Sequence, residues 1–350
     1  MTSKLISGKN DLNFISEIPQ QSKTTKKIHF HYTETHTSNQ SNGNFAIFTG
    51  YSLLVLSYFK LLRPKDWAKN LFLFIPLFFS GNLFNWIKLE KLAWGFLAFS
   101  LIASSVYILN DYRDIEVDRN HPVKCSRPLA SGSVSKTVAL GIMSVCIIAG
   151  FALSLVLRTK FTFVLGIYFL LNVAYSFGLK NISILDILIL AIGFVLRVKA
   201  GGILAFVVIS QWLIIMVFLL ALFMAVGKRR DDVLIRMKSG KDMRQSVKGY
   251  NLDFLNVCLA IVCAIIIMAY LMYTVSPEVN ARFGSYRLFY TALFVISGIM
   301  RYLQLIYLEN NSGSPTKLLF GDRFLQINLL LWIISFYVIL YMPSITLFNQ

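Results

Sequence analysis

Residues 91–118 read KLAWGFLAFSLIASSVYILNDYRDIEVD. From Leu92 to Asn110 no side chain is charged. At 1.5 Å per residue such a helix reaches about 30 Å, the thickness of a bilayer's hydrocarbon core. Acids then arrive together: Asp111, Asp114, Glu116 and Asp118. An apolar helix that ends in clustered carboxylates sets the reading of the whole chain, a membrane span with polar chemistry at its mouth.

Similar stretches recur on both sides. The span over 91–111 is preceded by one over 64–84 and followed by spans over 137–157, 161–178, 184–206, 209–227, 252–274, 285–307 and 324–346. Composition agrees: 56% of the 350 residues are hydrophobic, 15% are charged, and the mean hydropathy is +0.63. A soluble domain is nearer a quarter charged, so a soluble enzyme is excluded. Disorder is excluded for most of the chain, and the long unbroken apolar runs exclude a β-barrel. The expected fold is all-α, a polytopic membrane bundle of about nine transmembrane helices with cytoplasmic cap loops. Residues 1–44 are polar, with no apolar segment near the start, and read as a disordered cytoplasmic tail rather than a signal peptide. Residues 45–60 read as an interfacial amphipathic helix, with an extra span as the runner-up. Residues 61–350 form the transmembrane domain.

The net charge is +17. On a soluble chain that would suggest nucleic acid, but cytoplasmic loops of membrane proteins collect Lys and Arg. With the tail inside, 25 of the 34 Lys and Arg fall on the cytoplasmic side and six outside. The loops over 112–136 and 228–251 are then both cytoplasmic, in the cell membrane. Nucleic acid is not an expected partner; membrane lipids are, and homo-oligomerisation stays open. The four cysteines (Cys125, Cys146, Cys258 and Cys263) form no C-x-x-C pair and suggest neither a disulfide frame nor a zinc site. His29, His31 and His36 sit in the polar tail, where nothing rigid orients them for a metal.

The acidic stretch has a helical face. Taking Asn110 as 0°, Asp111 falls at about 100°, Asp114 at about 40° and Asp118 at about 80°, with Glu116 on the far side at about 240°. Carboxylates three and four residues apart repel, and at a helix C-terminus they also oppose the macrodipole. Mg²⁺ would neutralise them, since it takes a few carboxylates together with phosphate oxygens and water. The basic residues Lys124 and Arg127 follow within ten residues of Asp118. Carboxylates for a metal beside cations for phosphate are the means of gripping a diphosphate. Asp111, Asp114 and Asp118 are therefore the candidate metal ligands and catalytic residues.

The pattern N-D-x-x-D-x-x-x-D, followed by H-P-x-K-x-x-R-P-x-x-x-G from His121 to Gly132, resembles the UbiA superfamily of membrane prenyltransferases. It is most similar to the decaprenyl-phosphate phosphoribosyltransferase branch. Further stretches carry the resemblance in order over about 55–345: Arg63-Pro-Lys-Asp-Trp-Ala-Lys69-Asn70, Tyr175-Ser-Phe-Gly-Leu-Lys180 before Leu185-Asp186, Gly193 to Gly202 around Arg197, and Gly321-Asp322-Arg323. The resemblance implies a Mg²⁺-dependent enzyme whose substrates are phosphoribosyl diphosphate and a polyprenyl phosphate. Asn110, Lys69, Asn70, Lys124, Arg127, Tyr175, Lys180, Arg197, Lys228, Arg229, Asp322 and Arg323 would contact them. Arg197 lies deep in its span, where a charge costs at least about 2.5 kcal/mol, so it should face the interior and an anion. Asp186 reads as a helix cap or a site carboxylate.

Ordinary UbiA enzymes carry a second D-x-x-x-D after the sixth span. Here the stretch is Gly227-Lys228-Arg229-Arg230-Asp231-Asp232, with two adjacent acids and mostly cations. That favours one metal-bound diphosphate and one phosphate held by basic residues. The alternative is a UbiA-type transfer of a prenyl chain from a polyprenyl diphosphate to an aromatic acceptor. A transporter without chemistry is a second rival.

Overall fold

A computed structural model of the chain describes residues 56–120, 123–239, 245–283, 286–308, 318 and 321–341. The expected tail over 1–44 and most of the expected interfacial helix over 45–60 lie outside them. Among the described residues, eight helices are long and apolar enough to cross a membrane. They are α1 (Trp86–Arg113), α2 (Lys136–Leu157), α3 (Thr159–Ser176), α4 (Leu185–Ala205), α5 (Gln211–Ser239), α6 (Leu252–Val275), α7 (Ala292–Tyr307) and α8 (Arg323–Tyr341). Side-chain caps start several of them: Asn85 accepts from the Lys88 N–H, Ser135 from Val138 and Asn251 from Phe254.

The expected first span, 64–84, is not one of the eight. It is a 3₁₀ helix over Pro64–Phe74 continued by a short α-helix over Ile75–Phe79. Pro76 has no N–H for a helical ladder, and Gly81 turns the chain at φ 73°. The looser 3₁₀ rise gives the 16 residues a reach of about 30 Å. Such irregular backbone is tolerated at membrane depth where protein covers it. Gly201 of α4 provides the cover: a Cβ there would lie 1.9 Å from the Leu73 carbonyl oxygen.

The expected loop over 228–251 also differs. Helix α5 continues through Ser239, because Lys228–Ser239 contains no glycine or proline and Arg229 pairs with Asp232 one turn on. The span expected over 285–307 begins as 3₁₀ helix over Tyr286–Thr291.

Two apolar layers hold the bundle together. In one, Leu73, Leu92, Phe99, Ile102, Phe161 and Leu204 pack the broken segment against α1, α3 and α4. In the other, Phe223, Leu255, Leu259, Ile266, Tyr302 and Ile306 join α5, α6 and α7. Helix α4 is central, with 61% of its span buried against 11% for α8. Outward-facing Val156, Phe163 and Ile148 present apolar surface suited to lipid.

Candidate active site

Helix α1 delivers the acidic motif. It ends at Arg113, kinks at Asp114 and resumes as a short helix over Ile115–Arg119. The Asp118 N–H still reaches the Asp114 carbonyl at 2.8 Å, so the helical face survives the kink. Asp111 and Asp118 are each 2% exposed, whereas Glu116 is 77% exposed and its carboxylate accepts from Arg119.

The carboxylates divide into two sets. Nη1 of Arg127 donates to Asp111 at 3.0 Å and to Asp118 at 2.6 Å, and Lys124 stands 4.0 Å from Asp118. Asp114 is held by Lys180, at 2.6 and 2.8 Å to its two oxygens. Lys180 also donates to the Asn110 amide oxygen at 3.2 Å, and Asn110 donates to Asp114 at 3.2 Å. The expected residues Asn110, Asp111, Asp114, Asp118, Lys124, Arg127 and Lys180 are thus brought together.

Arg63 is a member that the sequence reading passed over. Its guanidinium bonds Asp111 and lies 5.3 Å from the Tyr107 ring centre. Its backbone is left-handed, φ 52° and ψ 56°, which is rare for a non-glycine residue and rarer before proline. The Arg63-Pro64 pair itself was the signal. Lys69 sits nearby, exposed, paired with Asp66 at 2.7 Å and 5.6 Å from the same Tyr107 ring.

Asp111 and Asp118 fit a divalent cation, because one guanidinium nitrogen already bridges them as a cation would. Their hard carboxylate oxygens suit Mg²⁺, which takes one or two carboxylates and leaves positions for phosphate and water. Among the described residues no three His, Cys, Asp or Glu side chains form a metal cage by themselves. Asp114, expected as a third ligand, bonds Lys180 and Asn110, as Asp111 and Asp118 bond Arg127.

Two expected phosphate contacts face protein. Asn70 is fully buried, donates to Ser100 Oγ at 3.0 Å and accepts from Arg197 Nε at 2.8 Å. Arg197 does face the interior, but its partners are neutral: Asn70, the Gly193 carbonyl at 2.9 Å and the Tyr168 hydroxyl at 3.0 Å. The rings of Phe99, Tyr168 and Phe194 lie 4.8–5.3 Å from its guanidinium. Three oxygens and three π faces replace the expected anion and make the charge tolerable in the membrane.

A second buried network lies at the start of α4. Arg229, 1% exposed, bridges Asp186 at 2.6 Å and Asp232. The Tyr250 hydroxyl donates to Asp186 at 2.6 Å and accepts the Ile184 N–H. Burial and that bond to Asp186 push the Tyr250 phenol above its usual range, so it stays a donor. Ile184 has φ 72°, a strained state for a β-branched residue. Asp186 is therefore a network carboxylate rather than a helix cap, and Arg229 is buried between two carboxylates. Tyr175 lies within electrostatic reach of Arg229, and Lys228 beside it is exposed.

Asp322 is engaged elsewhere. It accepts from Arg301 Nη2 at 2.7 Å and caps α8 through the Leu325 N–H at 2.9 Å. The Arg301 guanidinium holds its carboxyl below the usual carboxylate range. Arg323 begins α8 next to it, and the bonds of Asp322 do not go to the acidic motif.

A polytopic helical bundle with a buried acidic pair and surrounding cations at one end is the architecture of a membrane-embedded transferase. The chain belongs to the UbiA prenyltransferase family, whose model matches residues 71–330. It is 32% identical over 292 residues to a decaprenyl-phosphate phosphoribosyltransferase of Mycolicibacterium smegmatis, covering 80% of this chain and 91% of the relative. It is 31% identical over 287 residues to the protein of the same name in Corynebacterium glutamicum, covering 81% and 86%. A solved UbiA homologue from Archaeoglobus fulgidus, bound to GPP and Mg²⁺, superimposes with a TM-score of 0.62 at 19% identity, over 81% of this chain and 99% of that one. It shares the fold.

Proposed function

We propose that the protein transfers 5-phosphoribose from phosphoribosyl diphosphate to a polyprenyl monophosphate at the cytoplasmic membrane face, releasing pyrophosphate. The observation that carries this reading is the asymmetry of the two polar clusters. In one, Asp111 and Asp118 share Arg127, which is 25% exposed; in the other, Asp186 and Asp232 share Arg229, which is 1% exposed. The second pair is closed in by its buried arginine and is the poorer site for a metal-bound prenyl diphosphate. The named activity of the Mycolicibacterium and Corynebacterium relatives supports it.

Asp111 and Asp118 would hold Mg²⁺, which when bound neutralises the diphosphate leaving group. Arg127 and Lys124, displaced from the carboxylates by the metal, would turn to the diphosphate oxygens. Lys180 orients Asp114 and Asn110 at the edge of the same site. A phosphate oxygen of the lipid attacks ribose C1 as the bond from C1 to the diphosphate oxygen breaks, and the bonding pair leaves with pyrophosphate. A phosphate monoester is largely dianionic near pH 7, so the attack needs no general base. Lys69, paired with Asp66, and Lys228, both exposed, would contact the lipid phosphate.

Calorimetric titration of the detergent-purified protein tests the donor half. Saturable binding of phosphoribosyl diphosphate that requires Mg²⁺ and is lost in Asp111→Asn supports the reading. Tight binding of geranyl diphosphate with no response to phosphoribosyl diphosphate would move the protein to prenyl transfer.

A further inference from the structure

The acidic motif lies at the end of the bundle where α4 begins, since Lys180 and Asp186 flank that start. The 21 residues of α4 rise about 30 Å to the opposite end. There an open cavity of about 500 Å³ is lined by Arg158, Lys160, Lys199 and Phe206, with Val207 and Ile209 among its apolar walls. No carboxylate lines it.

Each cation has a structural reason to be there. Helix α4 stops at Phe206, whose left-handed backbone, φ 54° and ψ 44°, swings the ring over the end of the helix. The Arg158 guanidinium lies 4.0 Å from that ring centre and donates to the Ile203 carbonyl in the last turn of α4. Lys91 of α1 approaches the same ring, at 5.1 Å. Lys160 opens onto the cavity from the first turn of α3. Lys199 is exposed although it sits six residues inside the end of α4, about 9 Å below it. Among the described residues, none of these four cations pairs with a carboxylate. A lysine exposed within a span must reach the interface or meet an anion, and the described lining supplies none. Residue 199 also points about 200° away from Arg197, so it takes no part in the buried Asn70 cluster.

We propose that this cavity binds the headgroup phosphate of an anionic glycerophospholipid in the leaflet opposite the acidic motif. Lys160 and Lys199 would grip the phosphate, Arg158 would back it, and the acyl chains would lie along Val207, Val208 and Ile209. Basic pockets between membrane helices take anionic headgroups on this principle, and the cavity volume suits one. The site is separate from the proposed reaction and does not depend on it.

Native mass spectrometry of the full chain in detergent tests this with phosphatidylglycerol, phosphatidylcholine and inorganic phosphate as probes. Wild type is expected to retain phosphatidylglycerol over phosphatidylcholine. Lys160→Gln/Lys199→Gln is expected to weaken that retention roughly thirtyfold, since each interfacial cation contributes several-fold. Lys199→Arg, which keeps the charge, should bind as wild type does. Retention unchanged in the double variant overturns the site. Loss of the variant-dependent binding to millimolar inorganic phosphate overturns the lipid assignment and leaves a simple phosphate site.

Discussion

Lys180 donates to both carboxylate oxygens of Asp114, at 2.6 and 2.8 Å, across 66 residues of sequence. The contact fastens the loop before α4 to the acidic end of α1. Its consequence is directional. Asp114→Asn should lower turnover by roughly a hundredfold or more, in the range seen when an electrostatic group is removed from a reacting centre. Asp111→Asn should do the same. Glu116→Gln should stay within about twofold, because an exposed ion pair contributes little. Equal loss in all three, measured as initial rates on folded protein, would contradict the helical-face arrangement.

Arg127 bridges Asp111 and Asp118 with one nitrogen. Arg127→Gln leaves two buried carboxylates short of a counter-charge and should destabilise the protein by roughly 2–4 kcal/mol. Mg²⁺ should restore more thermal stability to this variant than it adds to wild type, since the ion takes the bridging role. A melting series against MgCl₂ in detergent checks it. An identical Mg²⁺ response in both proteins would argue against metal binding by this pair.

Tyr250, Asp186 and Arg229 form one buried unit. Tyr250→Phe removes the hydroxyl that serves Asp186 and the strained Ile184 N–H, and should destabilise by about 1–3 kcal/mol. Arg229→Met strands Asp186 and should destabilise by about 3–5 kcal/mol. The double variant Arg229→Met/Asp186→Leu should recover much of that loss. Additive losses in denaturation of the three variants would deny the coupling.

Gly201 faces the Leu73 carbonyl with no room for a Cβ. Gly201→Ala should destabilise by about 1–3 kcal/mol or more, and should lower activity by displacing the segment that carries Arg63 and Lys69. Gly141→Ala in α2, with nothing within 4 Å of the added carbon, is the control and should be silent.

What could be seen in the sequence followed local rules. The long helices were legible because apolar runs of bilayer length have few other uses, and Asp111, Asp114 and Asp118 because helical spacing alone puts them on one face. The segment over 64–79 was not, because its 3₁₀ backbone depends on Gly201, more than a hundred residues away. Helix α5 ran past its expected end because hydropathy marks where apolar residues stop, not where a helix does. Arg197 was rightly read as an inward-facing cation, whereas Arg229, expected in a basic loop against substrate phosphate, is buried between Asp186 and Asp232. Their partners, neutral oxygens and rings for one and two carboxylates for the other, are tertiary facts that no spacing encodes.

The central claim is phosphoribosyl transfer to a lipid phosphate, and its most direct test is product formation. Purified protein would be incubated with phosphoribosyl diphosphate labelled in the ribose, Mg²⁺ and polyprenyl monophosphates of several lengths. The account predicts label in the organic phase, matched by pyrophosphate release, and neither in Asp111→Asn. No labelled lipid, with turnover of a polyprenyl diphosphate onto an aromatic acceptor instead, would contradict it.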